Sequence, residues 1–145
     1  MSPILYIINY HGPNFKEAMM MTGQALYHVG FGKQDLGEPT PAAALPCGDP
    51  ARARRLAQET DGVTCLGTLS ENRGLNSYLC QAASGQKFIA ATSGMGAPSL
   101  SIIVNELVTL GIRTIIRVGT SGGIGAEVKA GDLVISSAAL CRQGA

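Results

Sequence analysis

FIAATSGMGAPSLSIIVNELVTLGIRTIIRVGTSGGI, residues 88–124, decides the fold of this chain. It reads as strand, loop, helix, strand, loop. Phe88 to Thr92 and Thr114 to Val118 are β-branched or apolar with little alternation, the pattern of strands covered on both faces. Between them Leu100, Ile103, Val104, Leu107 and Leu110 fall on one helical stripe, with Pro98 suited to the first helical turn and Gly111 to the stop. A crossover of this kind joins parallel strands, so the loops Ser93 to Gly96 and Gly119 to Gly123 lie at strand carboxyl ends, where open α/β sheets bind ligands. Arg117 is a cation at the end of an otherwise apolar strand, and a charge there needs an anionic partner.

Outward from this unit the chain repeats the pattern. Ala42 to Cys47 is a short apolar strand running into Gly48-Asp49-Pro50-Ala51-Arg52. Asp49 caps the helix that Pro50 opens, and Ala53, Leu56 and Ala57 form its inner side. Arg52 stands in the first turn, where the macrodipole disfavours a cation unless an anion binds beside it. Val63 to Leu69 and Ser77 to Ala82 read as two strands joined by a hairpin-like excursion, in which Arg73 is by default a surface arginine. Leu133 to Leu140 reads as a further strand. Met1 to Ala25 has no clear period. It is taken as an extension, partly helical from Asn14 onward, with Met19-Met20-Met21 as packing material. Two helices for five or six strands leave one face of the sheet under-covered.

Composition narrows the function classes. The 145 residues suffice for one domain, and 46% apolar with 14% charged residues describe a globular protein. A net charge of +1 gives no field to recruit nucleic acid. No apolar run approaches the roughly 18 residues that span a bilayer, no basic segment precedes the apolar start, and the default location is cytoplasmic. Cys47, Cys65, Cys80 and Cys141 include no CxxC pair and read as small buried hydrophobes in a reducing compartment, so no metal site is expected. Glycine is abundant, nineteen in all, and its groupings around Gly48, Gly94 to Gly96 and Gly119 to Gly125 suggest backbone packed around a small ligand.

Three readings of the glycine loops compete. A dinucleotide site fails because Ser99 holds the third glycine position and the next strand ends in Arg117-Val118-Gly119 with no acidic residue for a ribose; a GxxxxGK[ST] loop is absent. A small-anion site fits better, with Gly48, Arg52, Arg117 and Thr120 brought to one sheet edge by parallel strands. His11 and His28 lie in the extension, no covalent nucleophile is apparent, and a bound anion would itself be the attacking group. The third reading is a module whose arginines are structural.

Gly48 to Arg52, Ser93 to Ile102 and Ile115 to Ile124 together resemble the nucleoside phosphorylases of the hexameric purine and uridine phosphorylase superfamily, over roughly Tyr27 to Ala145. The resemblance implies a central mixed β-sheet flanked by helices, an α/β fold incomplete at its carboxyl end, with 1–26 an extension and 27–145 the amino-terminal part of the domain. It implies phosphorolysis, uridine plus phosphate to uracil plus ribose 1-phosphate, in pyrimidine salvage. Inorganic phosphate is then the co-substrate, and no cofactor or metal is implied. Gly48, Arg52, Arg117 and Thr120 would hold phosphate, with Arg52, Arg117 and Thr120 carrying the catalysis, and Arg73 would join them from a neighbouring subunit. His28 would reach across a dimer to the ribose 5′-hydroxyl, and Met95, Thr120, Ser121 and Gly122 would border the nucleoside. The smallest complete site is then a dimer within a homo-oligomer. Thr120 and the glycine loop after it look most like the uridine phosphorylases, while Asn72-Arg73-Gly74 reads like the purine branch. Gly74 replaces the acidic residue that helps bind a monovalent cation in some uridine phosphorylases, and that cation is not carried over. Family members continue past Ala145 with the residues that read the base. A purine nucleoside phosphorylase and a truncated, non-catalytic phosphate-binding homologue therefore stay open as alternatives.

Overall fold

The apolar segments assemble into one seven-stranded mixed sheet, in a computed structural model that describes residues 2–9 and 24–140. In chain order the strands are β1 (Ser2–Asn9), β2 (Ala43–Cys47), β3 (Val63–Ser70), β4 (Ser77–Ala82), β5 (Lys87–Thr92), β6 (Thr114–Ser121) and β7 (Val134–Ile135). The helices are α1 (Pro50–Gln58), after β2, and α2 (Ala97–Thr109), after β5. Across the sheet the order is β3-β4-β5-β2-β6-β1-β7. β2 lies between β5 and β6 and is parallel to both. The carboxyl ends of these three strands therefore share one edge.

Each helix covers one face of that parallel centre. Ile103, Leu107 and Leu110 at α2 pack with Ala44, Ile89, Ala91 and Ile115. Ala53 and Ala57 of α1 pack with Cys47, Tyr78, Phe88 and Ala90 on the other face, with Leu56 and Val118 partly buried against them. Neighbouring residues of β2, β5 and β6 thus point to opposite cores, which explains why these strands read as apolar without alternation. Leu133, Ile135 and Leu140 stay exposed, in and around β7, and Ile7 of β1 is 46% exposed. Exposed apolar surface thus collects at the β1 and β7 end of the sheet, whereas the expectation was one under-covered face.

Three expectations change. Ser2–Asn9, read as part of a featureless extension, is a strand antiparallel to β6 from Ser2↔Ser121 to Asn9↔Thr114. That partner extends β6, so Gly119, Thr120 and Ser121, expected in a loop, are ladder residues. The strand expected over Leu133 to Leu140 shrinks to Val134–Ile135, because its ladder with β1 consists of Ile4↔Val134 and Leu5↔Ile135 alone. The helix expected from Asn14, the run Met19 to Met21, His11 and Cys141 fall outside the described residues. No described helix is long and apolar enough to cross a membrane.

Candidate functional site

At the shared edge of β2, β5 and β6 the backbone comes close to itself. Ser93 donates to the Cys47 carbonyl through its backbone N–H (2.7 Å) and its hydroxyl (3.2 Å), joining the end of β5 to the end of β2. Ser99 Oγ donates to the Ser93 carbonyl at 2.6 Å and pins the Gly94–Gly96 turn onto α2. Gly48 sits between two walls: a β-carbon there would lie 3.3 Å from the Gly94 carbonyl oxygen and 3.4 Å from Arg117 Nη2. The glycine is what lets the guanidinium lie along the β2 loop.

Two helices open at this edge. Asp49 caps α1 as expected, its carboxylate accepting from the Ala51 N–H at 2.9 Å. Arg52 follows in the first turn, half-buried. α2 opens at Gly96, with φ +84° and no side-chain cap. Its first-turn amides therefore lack the side-chain acceptor that Asp49 gives α1. Arg117, half-buried on β6, lines a cavity of about 510 Å³ together with Gly96, Ala97 and Leu100 of α2, Ile7 of β1 and the Ser136–Ala139 segment.

Cys47 reports on the convergence. Burial raises its thiol pKa, while the Arg52 and Arg117 guanidiniums both pull it down and Asp49 pushes it up. Two cations from different elements thus act on one buried atom at the end of β2. Neither pairs with a carboxylate among the described residues. Convergent unpaired guanidiniums, close-packed loop backbone and an uncapped helix start form a site suited to a small oxyanion.

The other expected site residues are distributed as follows. Thr120 is exposed near the end of β6, opposite Pro3, and Ser121 ends that strand opposite Ser2, with Gly122 just beyond. Met95 is 89% exposed between the two glycines. His28 and Arg73 stand in a second cluster. Arg73 Nη2 donates to the Tyr27 hydroxyl at 2.6 Å, with its guanidinium carbon 4.7 Å from the Tyr27 ring centre. Tyr27 in turn meets His28 edge-on, ring centres 5.0 Å apart. Arg73 takes φ +56°, a left-handed conformation costing on the order of 1 kcal/mol in a residue with a β-carbon.

Sequence reasoning missed the two residues that hold this cluster. Asn72 Nδ2 donates to the Tyr27 and His28 carbonyls at 2.9 and 3.0 Å. Glu106 of α2 accepts from the His28 and Val29 backbone N–H groups and from His28 Nδ1. The signal for Glu106 was its place on the buried stripe, three residues after Ile103 and four before Leu110. Gly30, with φ +74°, completes the turn; a β-carbon there would lie 2.4 Å from Ser70 Oγ and 2.7 Å from Asn72 Cβ.

The arrangement can hold an oxyanion at the strand edge and present an imidazole and a guanidinium at the second cluster. No group of three or more His, Cys, Asp and Glu is placed to hold a metal among the described residues.

Comparison with known proteins gives consistent matches. Residues 42–145 match the family model described as the Phosphorylase superfamily. The uridine phosphorylase of Haemophilus influenzae is 36% identical over 120 residues, covering 83% of this chain and 45% of that protein. The uridine phosphorylase of Escherichia coli K12 is 34% identical over 125 residues, covering 86% of this chain and 47% of that protein. A DeoD-type purine nucleoside phosphorylase of Caldanaerobacter subterraneus is 34% identical over 114 residues, covering 77% of this chain and 46% of that protein. The chain spans slightly less than half the length of these relatives.

Proposed function

Because the chain belongs to the Phosphorylase superfamily, we propose that it is the amino-terminal part of a uridine phosphorylase, a pentosyltransferase converting uridine and phosphate to uracil and ribose 1-phosphate. The observation that carries this reading is the packing of Arg117 against Gly48 at the strand edge where α1 opens with Arg52 in its first turn and α2 starts without a side-chain cap.

In the proposed reaction Gly48, Arg52, Arg117 and Thr120 hold phosphate. A phosphate oxygen attacks the anomeric carbon as its bond to the base breaks, and the base leaves with the bonding pair and then takes a proton. The transition state resembles an oxocarbenium ion, which the phosphate, fixed by two guanidiniums, neutralises electrostatically. Phosphate is the nucleophile and no cofactor takes part. Met95, Thr120, Ser121 and Gly122 border the nucleoside, and the cavity beside Arg117 offers apolar wall for it.

His28 and Arg73 serve a second copy of the chain. Glu106, which holds His28, is nine residues along α2 from Ala97, about 14 Å at the helical rise per residue. One chain's second cluster is therefore remote from its own anion site, and a homo-oligomer built from dimers supplies each site from two chains. Residues 27–145 form the enzyme's amino-terminal part, with Ser2–Asn9 joined to them as a strand of the same sheet, and the enzyme works in the cytoplasm.

A purine nucleoside phosphorylase is the second reading, favoured by the DeoD-type relatives at comparable identity but lower coverage of this chain. Uracil release from uridine, with and without phosphate and with inosine as comparison, separates the readings. Phosphate-dependent uracil release is expected. Phosphorolysis of inosine alone selects the purine reading, and phosphate binding without turnover of either nucleoside selects a non-catalytic phosphate-binding homologue.

A further inference from the structure

We propose that Glu106 is a positioning residue that holds the neutral His28 ring as its Nδ1–H tautomer, so that Nε2 faces outward as a hydrogen-bond acceptor and selects a ligand group that donates, a hydroxyl. The ligand half of this statement rests on the reading that His28 meets the ribose of a nucleoside.

Glu106 Oε1 lies 2.6 Å from His28 Nδ1. Its Oε2 accepts from the Val29 N–H at 2.8 Å, and both oxygens share the His28 N–H at 3.2 Å. An ionised carboxylate only accepts, so the ring nitrogen facing it must carry the proton, and in the neutral ring Nε2 then holds the lone pair. The backbone of His28 is fixed from the other side as well, by Asn72 on the Tyr27 and His28 carbonyls, and the ring rests edge-on against Tyr27. Nε2 has no protein partner among the described residues, and the His28 side chain is 35% exposed.

The helix itself does not call for a carboxylate at this position. Glu106 stands in the last turn of α2, where the macrodipole disfavours negative charge and no basic residue compensates. Binding the two amides alone would need no charge, since a glutamine carbonyl could accept them. The carboxylate differs from the amide in what it imposes on Nδ1. In Glu106→Gln, with the amide oxygen on the Val29 and His28 N–H groups, the NH₂ group faces Nδ1, which must then accept. The proton moves to Nε2 and the outward polarity of His28 reverses.

The test is nitrogen NMR of the protein labelled with ¹⁵N-histidine, on the alkaline side of the ring's titration, with His28→Gln assigning the His28 signals. Nδ1 is expected as the protonated, pyrrole-type nitrogen and Nε2 as the pyridine-type one, the reverse of a free histidine side chain; in Glu106→Gln the two types exchange. A parent protein with the proton on Nε2 overturns the proposal without recourse to any variant. The second measurement is kcat/KM for uridine against 5′-deoxy-5′-fluorouridine, whose fluorine can only accept. The preference for uridine should fall roughly three- to tenfold in Glu106→Gln, the size of one neutral hydrogen bond, and mainly through KM. An exchanged tautomer with an unchanged preference overturns the selection of a donor. The expected tautomers without turnover of either nucleoside refute the phosphorylase reading and leave the assignment of Glu106 supported.

Discussion

Arg117→Met separates anion binding from folding. Arg117 is half-buried and has no carboxylate partner among the described residues, and it lines the cavity beside Gly96, Ala97 and Leu100. Methionine keeps an apolar stem of similar reach and removes a partly desolvated charge, so unfolding free energy without phosphate should change by less than about 0.5 kcal/mol or rise. Phosphate binding should suffer. A hydrogen bond to a charged group contributes about 2 kcal/mol, which is roughly thirtyfold in affinity. The assay is urea unfolding with and without phosphate at a hundred times the parent's dissociation constant. Mass action then stabilises the parent by about 2.7 kcal/mol and the variant by about 0.9 kcal/mol. Arg54→Met is the control, because Arg54 is exposed and only loosely paired, 3.8 Å from Glu59; its phosphate response should match the parent's. If Arg117→Met gained as much from phosphate as the parent, the anion site would not lie where Arg117 points. A variant that lost more than about 1 kcal/mol in the absence of phosphate would show instead that Arg117 is structural.

Gly30→Ala should destabilise the protein by about 2–4 kcal/mol, combining left-handed backbone cost with collision against Ser70 Oγ and Asn72 Cβ; urea unfolding measures this, and a loss below about 0.5 kcal/mol would contradict the packing of that turn. Burial, with Cys65 opposite, pushes the Cys80 thiol up to about 11 from an ordinary 9.0. The unfolded chain then loses this proton first, so stability should fall as pH rises from about 9 to about 11, by on the order of 2 kcal/mol. Comparing unfolding free energies with those of Cys80→Ala across that window isolates the thiol, and equal slopes in the two proteins would refute its raised pKa.

Much of the geometry of the candidate oxyanion site was legible because its residues sit at predictable offsets from strand ends. Apolar runs of five or six residues located β2, β5 and β6, and Asp49-Pro50 and Pro98 marked where the helices open. Parallel pairing then placed Gly48, Arg52 and Arg117 on one edge without long-range information. The second cluster depends on contacts between residues as far apart as His28 and Glu106, 78 positions in sequence, and no local pattern encodes such a pairing. Glu106 was hidden in a helical stripe as an exception to its apolarity. β1 was missed for another reason: strand identity comes from a partner, and only the edge of β6 shows that Ser2–Asn9 can pair. The same partner turned Thr120 and Ser121 from loop into ladder.

Helix α2 sets the geometry of the whole proposal, because its start faces Arg117 and its last turn holds His28, about 14 Å apart along the axis. A two-fold pair solves that separation if each chain's second cluster reaches the other's oxyanion site, since an isologous contact is reciprocal. Complementation tests this directly. Arg117→Met spoils a chain's own anion site but leaves its Arg73 for the partner, and Arg73→Ala does the reverse. Neither variant alone should support uridine phosphorolysis at more than about one hundredth of the parent rate, by analogy with a lost oxyanion donor. In a hybrid pair one site carries both defects and the other carries neither. Random re-association makes about half of the pairs hybrid, so an equal mixture should recover roughly a quarter of the parent rate. A mixture no more active than the sum of its two components would mean that Arg73 acts within its own chain or plays no part at the phosphate.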